Sequence, residues 1–157
     1  MKPLAEEFSE FLRYLNEEKV EYLVVGGYAV SLHGFTRVTA DLDLWIALEP
    51  VNAGRVVKAL ERFGFVHGEA EEELFLEEGN IVRMGFPPMR IEIMNKIDGV
   101  EFSSCYDRRR TVVAGGVELP FICREDLISN KRASGRQKDL GDLEGLGELG
   151  GGEEPGL

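Results

Sequence analysis

Apolar residues Leu4, Phe8, Phe11, Leu12 and Leu15 recur every three or four positions, while Glu6, Glu7, Glu10, Glu17 and Glu18 fill the other faces. That is the period of an amphipathic helix. The period then shortens. Val20 to Val25 reads Val-Glu-Tyr-Leu-Val-Val and ends at Gly26-Gly27, which predicts a strand and a glycine turn, with a short helix over Tyr28–His33 stopped by Gly34. After a loop at 35–40, the run Asp41-Leu42-Asp43-Leu44-Trp45-Ile46 alternates. Side chains two apart on a strand share a face, so Asp41, Asp43 and Trp45 are expected to point one way.

Downstream, Pro50 opens a stretch in which Val56, Val57, Leu60 and Phe63 form an apolar stripe closed by Gly64, the pattern of a helix that covers a sheet. Leu74–Leu76 and Ile81–Met84 flank Glu-Glu-Gly-Asn and predict a hairpin. Met89–Met94 predicts a further strand with Arg90, Glu92 and Met94 on one face and Ile91 and Ile93 toward the core. Thr111–Val113 and Val117–Leu119 flank Ala-Gly-Gly and predict a second hairpin, while Arg124–Ala133 and Lys138–Leu146 predict closing helices. The expected fold class is α+β, a mixed β-sheet flanked by helices, in one domain over residues 1–146. Residues 147–157 are glycine-rich and acidic with nothing to bury, and are expected to be a disordered tail.

Composition narrows the class. At 157 residues, 43% hydrophobic and 30% charged, the chain suits one globular domain rather than a disordered or fibrous one. The net charge of −11 argues against indiscriminate coating of nucleic acid but leaves room for a local basic groove. No apolar run is long enough to span a membrane, and the amino terminus lacks the apolar core of a signal peptide, so a cytoplasmic protein is expected. Cys105 and Cys123 are too few for a disulfide framework or a four-ligand zinc site, and are expected to stay reduced.

The chemistry concentrates in Gly26-Gly27, Asp41 and Asp43 thirteen residues later, and Glu92 on a separate predicted strand. Two aspartates at i and i+2 lie about 7 Å apart at Cα, and with a third carboxylate from a neighbouring strand they offer hard oxygen ligands suited to Mg²⁺ or Mn²⁺ rather than zinc. A pair of such ions can clamp the attacking and leaving oxygens of a displacement at phosphorus. A Gly-Gly turn lets backbone amides approach a phosphate, with a helix amino terminus expected behind it.

The pattern of apolar-Gly-Gly followed by Asp-apolar-Asp-apolar resembles the polymerase-beta-type nucleotidyltransferase superfamily. More closely, Tyr22 to Val30, His33-Gly34, Arg37, Thr39 and Asp41 to Leu44, together with Glu125 to Ile128, Lys131, Arg136 and Lys138-Asp139-Leu140, are similar to small bacterial and archaeal nucleotidyltransferases related to abortive-infection toxins. The resemblance implies transfer of a nucleoside monophosphate from an NTP to a hydroxyl of an RNA, protein or small-molecule acceptor, with pyrophosphate released. It implies Asp41 and Asp43 as metal ligands, Gly26 and Gly27 as the triphosphate cradle, and Glu92 where relatives usually carry Asp. For a toxin, it also implies an antitoxin partner. Glutamate is one methylene longer than aspartate, so an inactive binding or regulatory module of the same fold is the alternative function.

Basic residues concentrate between 108 and 138, eight against three acidic ones. Of these, Lys131 and Arg136 are the expected phosphate contacts, with Arg37 reaching the same anion. Arg108 to Arg110 reads equally as a solvated charge run or a steering element for RNA. Glu92 has a second reading as the polar face of an edge strand paired with Arg90. His33, before a glycine at a helix end, is expected to be structural. Trp45 is expected at the core edge, with stacking on a base as the less common outcome. A sugar-nucleotide reading of Asp41-Leu42-Asp43, as in metal-dependent glycosyltransferases, fits poorly because such enzymes need a longer chain.

Overall fold

The computed structural model describes residues 5–35, 41–65, 71–85 and 90–147. Among these, seven helices and six strands follow in the order α1 (Glu6–Glu17), β1 (Tyr22–Val25), α2 (Gly26–Leu32), β2 (Asp41–Ile46), α3 (Pro50–Phe63), α4 (Glu72–Leu76), β3 (Ile81–Met84), β4 (Arg90–Met94), α5 (Phe102–Asp107), β5 (Arg110–Ala114), β6 (Val117–Phe121), α6 (Arg124–Ser134) and α7 (Gln137–Gly145). The strands form one mixed sheet in the order β3-β4-β2-β1-β6-β5. β1 runs antiparallel to β2 and parallel to β6, and β2 runs parallel to β4. The fold is α+β, as the residue pattern predicted.

Alternation along the central strands divides the core between the two faces of the sheet. Leu42, Leu44 and Ile46 of β2 join Val24, Ile91 and Ile93 against Phe8, Phe11, Leu12 and Leu15 of α1 and Val56 and Leu60 of α3. Leu23, Val25 and Trp45 face the other way, onto Cys105 of α5, Leu127 and Ile128 of α6 and Leu143 of α7. Trp45 is 1% exposed and meets Phe102 edge-on at 5.1 Å between centroids. It is a core residue with no face left for a base. α3 is capped at both ends: the Glu49 carboxylate accepts from the amides of Val51 and Asn52, and Gly64 closes it at φ 116°.

Two expectations change. The hairpin expected from Leu74 to Met84 is not formed, because Glu72–Leu76 is the short helix α4 and β3 pairs with β4 instead. Acidic residues in its first turn suit the helix dipole, and the buried Asn95 side chain donates to the carbonyls of Phe75 and Glu77 while accepting from the amide of Gly79. Helix α5 is unpredicted, since six residues that bury only Cys105 carry no readable period. α2 also starts at Gly26, two residues earlier than its apolar pattern suggested. The expected disordered tail, apart from its first residue, lies outside the described residues.

Candidate active site

The carboxylates are assembled by strand register. Antiparallel pairing of β1 and β2 sets Val25 opposite Asp43, so the chain leaves β1 at Gly26 directly against that side chain. Gly26 has φ 67°, and a Cβ there would lie 2.2 Å from Asp43 Oδ2, so only glycine fits without displacing the carboxylate. Parallel pairing of β2 and β4 sets Asp43 opposite Glu92 and Asp41 opposite Arg90. Asp41, Asp43 and Glu92 thus occupy adjacent positions on two neighbouring strands, together with Gly26 and Gly27, at one cleft of about 820 Å³.

Asp43 is the most perturbed group in the cleft. Burial pushes its carboxyl up to about 6, with Glu92 and Asp41 adding to the shift and Lys138 and Lys131 opposing it. Its Oδ1 is buried without a hydrogen-bond partner. The neighbouring carboxylates are held differently. Arg90 donates to both oxygens of Asp41, at 2.9 and 3.2 Å, and Arg83 Nε donates to Glu92 Oε2 at 3.1 Å. The pairing of Glu92 with Arg90 weighed from the sequence is therefore corrected: parallel register puts Arg90 across from Asp41, and β3 supplies the partner of Glu92. The hydrogen bond with Asp41, reinforced by the fields of Asp41, Glu92 and Asp43, raises the Arg90 guanidinium further above its ordinary value.

Lys131 and Arg136 also line the cleft, yet both already hold acidic partners. Lys131 is 2% exposed, with Nζ 3.1 Å from Asp139 and 3.0 Å from Asp142 on α7. Arg136 grips Asp139 through Nε at 2.7 Å and Nη2 at 3.3 Å, and its amide donates to the same carboxylate at 3.2 Å, which fixes the start of α7. Burial alone would push Asp139 up, but these hydrogen bonds and the two cations hold its carboxyl below the usual range. Arg37 lies outside the described residues. Arg83 lines the cleft without having been singled out, whereas the residue pattern places Arg90 on the Glu92 face and Lys138 in the closing segment that carries the resemblance. Among the described lining residues six are basic (Arg83, Arg90, Lys96, Lys131, Arg136, Lys138) and four acidic (Asp41, Asp43, Glu92, Asp98). Asp139 and Asp142, which hold Lys131 and Arg136, make the two signs equal, six and six.

His33 has the structural role expected of it: its Nε2 donates to the carbonyl of Ile122 at 2.8 Å, tying α2 to the end of β6. A second hollow of about 790 Å³ between α3 and α4 is lined by surface charges of both signs and gathers no comparable constellation.

Among the described residues no three His, Cys, Asp or Glu side chains already converge as a metal cage. The donors still fit a hard divalent cation: three carboxylates from two adjacent strands, one of them with a buried oxygen that lacks a partner.

The mixed sheet thus delivers a glycine turn and three strand carboxylates to one cleft. Residues 1–147 match the family described as "Nucleotidyltransferase of unknown function (DUF6036)", and the chain belongs to that family. Among solved structures it is similar to TM1012 from Thermotoga maritima, a provisionally assigned nucleotidyltransferase, at 17% identity and TM-score 0.62, covering 87% of this chain and 88% of that one. It is also similar to LnuA, a lincosamide antibiotic adenylyltransferase with lincomycin bound, at 16% identity and TM-score 0.57, covering 95% of this chain and 100% of that one. At these identities the likeness is one of fold. No curated protein matches the sequence.

Proposed function

We propose that this member of the family transfers a nucleoside monophosphate from an NTP to an acceptor hydroxyl. The observation that carries the reading is the abutment of Gly26 on Asp43, whose buried oxygen lacks a partner, beside Asp41 and Glu92 at one cleft. Asp41, Asp43 and Glu92 would hold Mg²⁺ or Mn²⁺, which supplies charge neutralisation for the triphosphate and polarises the acceptor. Gly26 and Gly27 let the backbone come close to the phosphates. α2 spans only seven residues, so close approach rather than the helix dipole is their contribution. Lys138 adds positive charge at the cleft, and Lys131 and Arg136 contact the phosphates only by sharing themselves with Asp139 and Asp142.

In the transfer step the acceptor oxygen bonds to the α-phosphorus, the bond from that phosphorus to the bridging oxygen breaks, and pyrophosphate leaves with the electron pair. Glu92 accepts the hydroxyl proton at a carboxylate oxygen. A tRNA end, a protein hydroxyl or a small molecule such as an aminoglycoside is the acceptor. LnuA, as an antibiotic adenylyltransferase, supports the small-molecule option. A toxin role with an antitoxin partner, and a cytoplasmic location, belong to the same proposal; no described helix is long and apolar enough to cross a membrane. The second reading, an inactive regulatory module, is favoured by Glu at position 92 and by the arginines already seated on Asp41 and Glu92.

Calorimetric titration with each of the four NTPs, with and without magnesium, tests the proposal. Magnesium-dependent binding that disappears in Asp41→Asn is expected, followed by labelled-NTP transfer to one acceptor class. Absence of binding by every NTP would overturn it, and binding without transfer that Glu92→Asp fails to restore would support the regulatory module.

A further inference from the structure

The register that gathers the carboxylates also plants a guanidinium beside two of them. Arg90 stands opposite Asp41 in the parallel β2–β4 pair and Arg83 opposite Glu92 in the antiparallel β3–β4 pair. Both arginines line the cleft, and both keep solvent contact, with 33% of the Arg90 side chain and 56% of the Arg83 side chain exposed. The Arg83 pair is too open to contribute much to folding, and the two-pronged Arg90 pair is only half-buried. Two of them, each on one of the three candidate metal ligands, therefore point to a role in the site. A guanidinium offers a phosphate the same fork that it offers a carboxylate, and a long exposed side chain can pass from one to the other by rotation about its own bonds.

On the nucleotide-transfer reading given above, we propose that Arg83 and Arg90 are exchange residues: they neutralise Glu92 and Asp41 before substrate arrives, and turn to the triphosphate once divalent cations take those carboxylates. No covalent bond changes. A cation arriving alone must displace a guanidinium and brings it no anion in exchange, so it binds more weakly. A cation arriving with the triphosphate gives each displaced arginine a new anion. Metal and nucleotide therefore strengthen one another's binding, by equal factors in the two directions.

The test uses the full-length protein, Arg90→Gln and Arg83→Gln, with Mn²⁺ titrated alone by the electron paramagnetic resonance of the free ion and the magnesium complexes of the four NTPs titrated by calorimetry. Each variant is expected to bind Mn²⁺ alone about tenfold more tightly, because a competing cation is gone, and its preferred magnesium-NTP about tenfold more weakly, because a phosphate partner is gone. Shifts of opposite sign are what a merely structural ion pair would not produce. Arg90→Lys, which keeps the charge and loses the fork, should retain the weak Mn²⁺ binding and only part of the nucleotide affinity. If Arg90→Gln fails to fold, the more exposed Arg83 decides the matter. Normal nucleotide binding by the unaltered protein with both affinities unmoved in the variants overturns the exchange alone. A protein that binds no nucleotide removes the transfer reading and the exchange together.

Discussion

Two groups of charges face one another across the cleft, and they are settled in opposite ways. On the α6–α7 side, Lys131 and Arg136 are matched by Asp139 and Asp142, charge for charge, with Asp139 entirely buried. On the strand side, Asp41 and Glu92 hold exposed arginines while Asp43 is buried with an oxygen unpartnered and its carboxyl pushed up to about 6. Burying charge is tolerable only when it is paired and hydrogen-bonded. The first group meets that condition within the protein, and joins two helices. The second does not, and its shortfall lies where a cation would make it good. Completed charge serves the fold here, and incomplete charge serves the site.

The comparison breaks most readily at Lys131. Lys131→Met removes the ammonium that Asp139 and Asp142 share and leaves two buried carboxylates with reduced compensation. A loss of about 3 to 5 kcal/mol in folding free energy is expected, measured by urea denaturation at pH 7. A variant that keeps its stability and loses only nucleotide affinity would show that the lysine serves the phosphates first, and the contrast between the two walls would fall.

How far the two walls could be read in advance differs for a physical reason. The carboxylate wall depends on local alternation: Asp41 and Asp43 sit two apart in a strand whose apolar partners mark the other face, and Gly26-Gly27 ends the strand before. Only Glu92 had to be brought in from a distance, and the period of Ile91 and Ile93 already set its face. Arg90 was legible on the carboxylate face but its partner was not, because a pair 49 residues apart depends on β2 and β4 running parallel. Nor was the α6–α7 wall. Lys131 and Arg136 look like free cations in a basic strip, and nothing short of the helices' packing shows Lys131 sealed against Asp139 and Asp142. The lost hairpin at Leu74 has the same cause, since the buried Asn95 that holds α4 and its turn comes from beyond the segment.

A smaller effect of opposite sign is expected on the strand wall. Asp43 has a folded value of about 6 against 3.8 for an unperturbed carboxyl, so the folded state holds its proton over a range where the unfolded state has lost it. Stability from this group therefore falls as pH rises from about 4 to 6, and the cost stands in full at pH 7. Asp43→Asn, which stays neutral, should stabilise the metal-free protein by up to about 3 kcal/mol at pH 7, with the gain vanishing below pH 4, while magnesium-dependent nucleotide binding is lost. Urea midpoints at the two pH values check this. Destabilisation at pH 7 would mean that the charge of Asp43 is already compensated, and that the strand wall is as complete as the helical one.

Gly26 gives the smallest change in folding and separates site from scaffold most sharply. An alanine at φ 67° costs about 1 kcal/mol in backbone strain, and its Cβ would press on Asp43 Oδ2 and crowd Asp43 Cγ and Cβ at 3.0 and 3.1 Å, so the carboxylate must shift. Gly64, at φ 116° at the end of α3, offers the control: it requires the same left-handed backbone, a Cβ there meets nothing within 4 Å, and it does not line the cleft. Gly26→Ala should thus lower the melting temperature by only a few degrees yet abolish nucleotide binding, because both the cradle and the carboxylate behind it move. Gly64→Ala should lower the melting temperature by a similar amount and leave nucleotide affinity in the folded protein unchanged. Equal losses of binding in the two variants would place the effect in general stability, and would deny the Gly26–Asp43 contact its special role.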